Sequence, residues 1–133
     1  MKKKMPLVLA AFAVLLFAGF YYGPKLMSAQ KETFEQLVAA PLADIDLSAI
    51  EDGTYFGSYS VYPVSAKVEV IVEDHHIKAI RLLKHDNKQG LEAEVIPDRV
   101  VDSQTLSVET VSGATYSSKV ILKAIENALL GES

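Results

Sequence analysis

The amino-acid sequence predicts an α+β fold, a small antiparallel sheet of about four strands with helices packed on it, preceded by an N-terminal membrane helix. Three observations predict it. An apolar run follows lysines near the start of the chain, several later segments alternate apolar with polar residues, and the last segment repeats apolar residues at helical spacing. Such a series of strands and helices is typical of an antiparallel sheet covered by helices.

The N-terminal segment, residues 1–27, is predicted to be a signal anchor. Three lysines at positions 2–4 precede an apolar run over residues 5–22, which has the length of about 18 to 20 residues that a membrane span requires. A secretory signal peptide is the alternative, but its cleavage site needs a small residue where Met27-Ser28-Ala29 carries a large one. The positive-inside rule then places the rest of the chain on the extracytoplasmic side of the cell membrane, as a single-pass protein.

The composition excludes several functional classes. The chain has 133 residues and no cysteine, which leaves room for one modest domain and rules out disulfides, thiolate metal sites and cysteine nucleophiles. Without the four lysines at positions 2–4 and 25, nine of the 13 basic residues remain against 17 acidic ones, a charge of −8 for the exported part. So acidic a module is not expected to bind nucleic acid. No metal site is expected either, because the adjacent His75 and His76 lack a nearby third ligand and suit a turn.

The elements of the domain follow in order along the chain. Residues 28–50 are predicted to be a spacer whose helix stops at Pro41, and residues 51–133 to be the domain proper. The expected elements are strands at 54–62, 66–72 and 77–83, a tight turn at 73–76, a short interrupted helix within 87–104, a fourth strand at 105–111 and a helix from Tyr116 onward. The order, roughly β-β-β-α-β-α, is the basis of the four-strand expectation.

A short junction, Ser112-Gly113-Ala114-Thr115, separates the last predicted strand from the last helix. The first backbone N–H groups of a helix have no partner within the helix and can hold an anion such as phosphate. The junction lacks a Walker lysine and the Gly-x-Gly-x-x-Gly spacing, so neither nucleotide-binding signature applies. From the residues alone, the junction is either an anion site or a simple helix cap formed by Ser112 or Thr115.

Three stretches of the sequence resemble a known family. They read "DGTYFGSY" from Asp52, "AKVEVIVEDHHIKAIRLLKHD" in the middle, and "ETVSGATYSS" before the last helix. From about Asp52 to Leu130 the chain is similar to the FMN-binding domain of exported oxidoreductase subunits. Examples are the C subunit of sodium-translocating NADH:quinone reductase and the G subunit of the Rnf complex, and the domain also occurs in small membrane-anchored flavoproteins.

The resemblance implies a covalently bound flavin. In that family the motif Asp-x-x-(Ser/Thr)-Gly-Ala-Thr carries FMN through a phosphoester to the last threonine, and a separate flavin transferase makes the bond from FAD. The matching acceptor in this sequence is Thr115. Ser112, Gly113 and Ala114 match the motif, and Glu109 stands in place of its aspartate, which keeps the charge and adds a methylene.

The residues around the motif suit this chemistry. Gly113 permits a positive φ and a close approach of the phosphate. Ser117 and Ser118 offer hydrogen bonds or a helix cap, and Tyr116 is a candidate contact of the isoalloxazine, with an ordinary half-exposed helix tyrosine as the alternative. Further stacking candidates, for which sheet packing is the alternative, are Tyr55, Tyr59 and Tyr62.

The resemblance therefore implies a membrane-anchored, extracytoplasmic flavoprotein in which FMN serves electron transfer. A carrier is favoured over an enzyme with its own substrate, because no acid/base pair or substrate pocket can be assigned. The expected partners are a flavin transferase that uses FAD and redox proteins at the membrane. Two alternatives remain open, a protein that binds FMN reversibly and a non-redox binding or sensory module.

Overall fold

The computed structural model describes residues 5–86 and 90–131. Three parts of the sequence-based predictions lie outside the described residues. They are the lysines at 2–4, the first three residues of the stretch 87–104 and the last two residues of the chain. The chain forms two compact units, Met1–Gln36 and Leu37–Ser133.

The first unit consists of most of helix α1, Met5–Ala39. The helix continues through Pro24 into the predicted spacer, although a proline inside a helix removes one backbone hydrogen bond. Its apolar side chains are exposed from Met5 to Met27. Within the part of the chain that the structure describes, α1 is the one helix long and apolar enough to cross a membrane. The helix meets this requirement by its length and its composition, and a signal sequence near an N-terminus shares both properties.

The second unit is built on an antiparallel sheet of three strands. They are β1 (Gly53–Val61), β2 (Val64–Glu73) and β3 (His76–Asp86), in the order β1-β2-β3. In the central strand every second residue is buried, which is the alternation that predicted a strand with one face on the core. The predicted turn after β2 is confirmed, because Asp74 and His75 both have positive φ, 52° and 61°, as a two-residue hairpin turn requires.

Two helices accompany the sheet. A 3₁₀ turn, Leu91–Val95, leads into helix α2, Ile96–Ser103, and together they are the predicted interrupted helix. Helix α3, Thr115–Leu130, packs on β1 and β2 and ends at Gly131, whose φ is 72°. Side chains from all three strands and both helices form one core, and its largest fully buried members are Ile96, Ile121, Leu122, Ile125, Val68, Val70, Val72, Val100 and Val120.

The prediction of a fourth strand at 105–111 is wrong, since in the described residues this segment lies outside any strand. The side chain of Gln104 occupies the place that such a strand would take beside β3. Its Oε1 accepts from the Ile77 N–H at 2.7 Å, and its Nε2 donates to the Ile77 carbonyl at 2.8 Å. The following residues satisfy their backbone locally, for example Val108 N–H to the Leu106 carbonyl at 2.9 Å and Ser107 N–H to Thr105 Oγ1 at 3.1 Å. A ladder with β3 is therefore replaced by one amide side chain and local turns.

Replacing Gln104 by alanine is expected to lower the free energy of unfolding by about 1 to 3 kcal/mol, because the polar groups of buried Ile77 lose their partners. Gln104 has a φ of 57°, and alanine keeps the steric cost that glutamine already bears there. Gln104→Gly is the matched control, because it removes the same hydrogen bonds without that cost. Urea unfolding followed by circular dichroism should rank wild type above the glycine variant and the glycine variant above the alanine variant. Two variants as stable as wild type would contradict the role given to this amide.

The segment before β1 is part of the second unit and contacts α3. Glu126 on α3 is 6% exposed, and its carboxylate accepts from the Ala43 N–H at 2.8 Å and from Lys123 Nζ at 3.0 Å. A buried carboxylate held by two donors fixes the chain that leads into the sheet. The apolar residues of this segment that pack against the core are Leu42, Ile45, Leu47 and Ile50.

Candidate functional site

The predicted junction lies at the N-terminus of α3, as a tight exposed turn. Gly113 has a φ of 81°, the left-handed region in which glycine is favoured. A side chain built on Gly113 would meet nothing within 4 Å, so the space around this residue is open. The Ala114 N–H donates to the Val111 carbonyl at 2.9 Å and closes the turn, while Ser112 is exposed and Ala114 is buried. The turn therefore presents its backbone, and no bulky side chain, to the outside.

The Ser118 side chain stabilises this turn through two hydrogen bonds. Its hydroxyl donates to the Ala114 carbonyl at 2.8 Å and accepts from the Val111 N–H at 3.1 Å. One buried side chain thus fixes both ends of the junction. Ser117 is also buried, with 3% of its surface exposed, so of the two serines predicted as hydrogen-bonding groups neither lies on the outer surface of the helix.

The first turn of α3 has no side-chain cap. Its N-cap residue is Ala114, which has no side-chain acceptor, and neither Ser112 nor Thr115 supplies the cap that the sequence offered as an alternative. Thr115 is the first residue of the helix, and its side chain is half-buried. An uncapped N-terminus of a 16-residue helix favours a negative charge near its first N–H groups. Lys119 is half-exposed and follows Thr115 by four residues, a spacing that places two side chains on the same helix face.

Tyr116 connects the start of α3 to the turn between β1 and β2. Its hydroxyl donates to the Val61 carbonyl at 3.2 Å and also lies 3.4 Å from the Tyr62 carbonyl oxygen. Burial raises the pKa of the Tyr116 phenol, and the nearby Tyr59 raises it further. The phenol therefore keeps its proton at neutral pH and remains a hydrogen-bond donor to the turn.

The structure separates the three tyrosines of the β1 region. Gly57 on β1 lies against Ala124 and Ala128 in the second half of α3. Because Val61, at the other end of β1, lies near Tyr116, Tyr55 on the near side of Gly57 lies toward the C-terminal end of α3. Its hydroxyl donates to the Glu51 carbonyl at 2.6 Å. Beyond Gly57, the end of β1 and the β1–β2 turn are contacted by Tyr116 at the start of α3. Tyr59 packs against the core, and Tyr62 in the β1–β2 turn is 76% exposed.

Glu109, the residue at the acidic position of the motif, is exposed. Its backbone carbonyl accepts from Arg99 Nη1 of α2 at 2.8 Å, which ties the motif to the neighbouring helix. The sequence did not predict this contact, nor the bridge made by Ser118, nor the bond from Tyr116 to the β1–β2 turn. The bond from Tyr116 joins residues more than 50 positions apart, so it depends on tertiary packing. The bonds of Ser118 are local, but they depend on the backbone geometry of the turn, which the residue pattern does not specify.

The fold and the site together describe an α+β domain that presents a small-residue turn and a threonine at an uncapped helix N-terminus. A family model described as FMN-binding domain matches residues 62–130, just over half of the chain. The chain belongs to the FMN-binding domain family. The match begins at Tyr62 and includes the whole of the junction and of α3.

A curated relative is a urocanate reductase of Eggerthella lenta, which is 40% identical over 65 residues. These residues are 47% of this chain and 11% of the relative, so the chain spans about a tenth of the length of that protein. The family match supports an FMN-binding role for the domain.

Proposed function

We propose that this protein is a membrane-anchored, extracytoplasmic flavoprotein that carries FMN on Thr115 through a phosphoester and acts in electron transfer. The observation that supports it most is the position of the family's motif. Thr115 is the first residue of an uncapped helix, next to an open glycine turn, in a chain that belongs to the FMN-binding domain family. The residues present fit an attached phosphate.

Each residue of the junction has a role in this proposal. The hydroxyl of Thr115 is the acceptor, and the open turn at Gly113 lets a transferase approach it. Thr115 Oγ forms a bond to the phosphorus of the FMN half of FAD, the pyrophosphate P–O bond breaks, AMP leaves, and the hydroxyl proton goes to a base. The N-terminus of α3 stabilises the remaining negative charge by about 0.3 to 1 kcal/mol, and the ammonium of Lys119 adds to it.

The other residues set the shape of the site. Ser118 keeps the turn closed through its bonds to Val111 and Ala114, so the acceptor is held without a side-chain cap competing for the helix N–H groups. Glu109 is exposed and, with its backbone carbonyl bonded to Arg99, is a candidate recognition group for the transferase. Ser117 is buried in the first turn of α3, so it is not available on the surface to the transferase.

FMN would supply the redox chemistry, accepting and donating electrons, while the protein supplies its position and environment. A covalent bond has a clear advantage outside the cytoplasm, where a flavin that dissociates is lost. The anchor proposed for α1 keeps the domain at the membrane, beside the redox proteins proposed as its donors and acceptors. The activity in the name of the urocanate reductase belongs to that whole protein, and for this chain we propose only the electron-carrying role.

The test is mass analysis of the full chain expressed with and without a flavin transferase. With the transferase we expect a mass increase of one FMN less one water, a fluorescent band after denaturing electrophoresis, and a modified peptide that contains the Ser112–Thr115 turn. Without the transferase the increase should be absent. A chain that binds FMN reversibly and never forms an adduct would reject the covalent proposal, and a chain without any flavin would reject the flavoprotein proposal as a whole.

A further inference from the structure

The β1–β2 turn and the start of α3 are held side by side. The hydroxyl of Tyr116 reaches the carbonyls of Val61 and Tyr62 at 3.2 and 3.4 Å. Thr115 immediately precedes Tyr116 in the first turn of the helix. The backbone of the β1–β2 turn therefore lies about one tyrosine side chain away from the backbone next to Thr115.

The side chain of Tyr62 stands on this turn with little protein around it. It is 76% exposed, the largest exposure of any aromatic residue in the second unit's described part. Tyr59 and Tyr116, by contrast, are half-buried and pack against the core. The exposed ring is therefore available for stacking against an aromatic ligand held at the start of α3.

Position distinguishes Tyr62 from the other exposed aromatic residue of the sheet. Phe56 is 58% exposed, but its neighbour Gly57 faces α3, and successive residues of a strand point to opposite faces. Phe56 therefore lies on the outer face of the sheet, beside Glu69 of β2, away from Thr115. Among the described aromatic residues of the second unit, Tyr62 alone combines an exposed ring with proximity to the start of α3.

On the basis of the proposed function, we propose that Tyr62 is the aromatic surface against which the isoalloxazine ring of the Thr115-linked flavin packs. The ribityl chain between phosphate and ring is long enough to cover the distance that the Tyr116 side chain spans. Stacking between aromatic rings has a preferred geometry and excludes water from one face of the flavin. Tyr62 is thus a positioning residue for the cofactor.

The experiment compares four chains expressed in full with a flavin transferase: wild type, Tyr62→Ala, Tyr62→Phe and, as the matched control, Phe56→Ala. Intact mass gives the flavin content of each. The fluorescence lifetime and the visible circular dichroism of the attached flavin are then measured. A tyrosine in contact quenches flavin fluorescence by donating an electron to the excited ring, and a ring held in one orientation shows a strong dichroic signal.

We expect Tyr62→Ala to be fully loaded with flavin, to fluoresce several-fold more strongly than wild type, and to lose most of its dichroism. Tyr62→Phe should also fluoresce more strongly, because phenylalanine is a poor electron donor, while its dichroism is retained. Phe56→Ala should equal wild type in both signals.

Three results would overturn the inference. Unchanged fluorescence and dichroism in loaded Tyr62→Ala would show that the ring contacts something else, such as a partner protein. An equal change in Phe56→Ala would show that the signals are not local to Tyr62. A wild-type chain without flavin would reject the proposed function, and the role of Tyr62 with it, and the mass measurement separates that failure from the first two.

Discussion

Replacing Gly57 by alanine is expected to lower the free energy of unfolding by about 3 kcal/mol or more. A methyl group at this position would overlap the Ala124 carbonyl oxygen and the Ala128 backbone nitrogen, and it would lie 2.7 Å from Ala128 Cα. All three atoms belong to the backbone of α3, so no side chain can rotate to make room. The helix itself has to move away from β1, and the hydrogen bond from Asn127 Nδ2 to the Ser58 carbonyl at 2.9 Å is strained or lost.

Gly53→Ala is the matched control for this substitution. It lies on the same strand, and the nearest atom to its added methyl would be a ring atom of Tyr55 at 3.8 Å, an ordinary contact. The free energy of unfolding of this variant should stay within about 0.5 to 1 kcal/mol of wild type. Urea unfolding followed by circular dichroism measures both. Equal stability of the two variants would mean that α3 does not pack on Gly57 at the distance described.

The same contact matters for the site, because α3 carries the junction at its N-terminus. The helix is positioned by Gly57 near its second half and by the hydroxyl of Tyr116 at its start. A shift of the helix at Gly57 moves Thr115 relative to the β1–β2 turn. Packing far from the turn thus sets the geometry in which an attached flavin would meet Tyr62.

The sheet was predictable because its alternation has one physical cause. Buried residues at every second position of β2 require a strand with one face on the core, and the Asp74-His75 turn fixes the hairpin. The same alternation at residues 105–111 led to the wrong prediction of a fourth strand. There Leu106 is buried and Val108 and Val111 pack against the core, while the residues between them are exposed or half-buried. An extended segment that lies on a core produces this pattern without any strand partner.

The position of the junction was predictable, and the contacts that build it were not. Small residues between a β-branched run and an apolar helical repeat indicate a helix start, and α3 begins at Thr115. The role of Ser118 depends on a hydroxyl that faces back into the turn, and the role of Tyr116 on a strand more than 50 residues earlier in the chain. The Tyr116 contact follows from how α3 is placed on the sheet, which local periodicity does not determine.

Thr115→Ala is expected to abolish the covalent flavin completely, because it removes the hydroxyl that would accept the phosphate. The fold should be retained, since Thr115 is a half-buried first residue of α3 and alanine is a good helix former. The measurement is intact mass after expression with the transferase. The mass increase of one FMN less one water and the fluorescent band on a denaturing gel should both be absent.

Two further variants make this result specific to the Thr115 hydroxyl. Thr115→Ser keeps a hydroxyl at the same helix position and should still carry the adduct. Thr110→Ala is the matched control, because it deletes a half-buried threonine hydroxyl from one of the unspecified positions of the motif, so it should be loaded like wild type. An adduct that survives in Thr115→Ala would place the attachment elsewhere. If Thr115→Ala and wild type instead bind FMN equally and neither forms an adduct, the uncapped N-terminus of α3 holds the phosphate through its N–H groups alone, because the helix charge does not depend on the threonine.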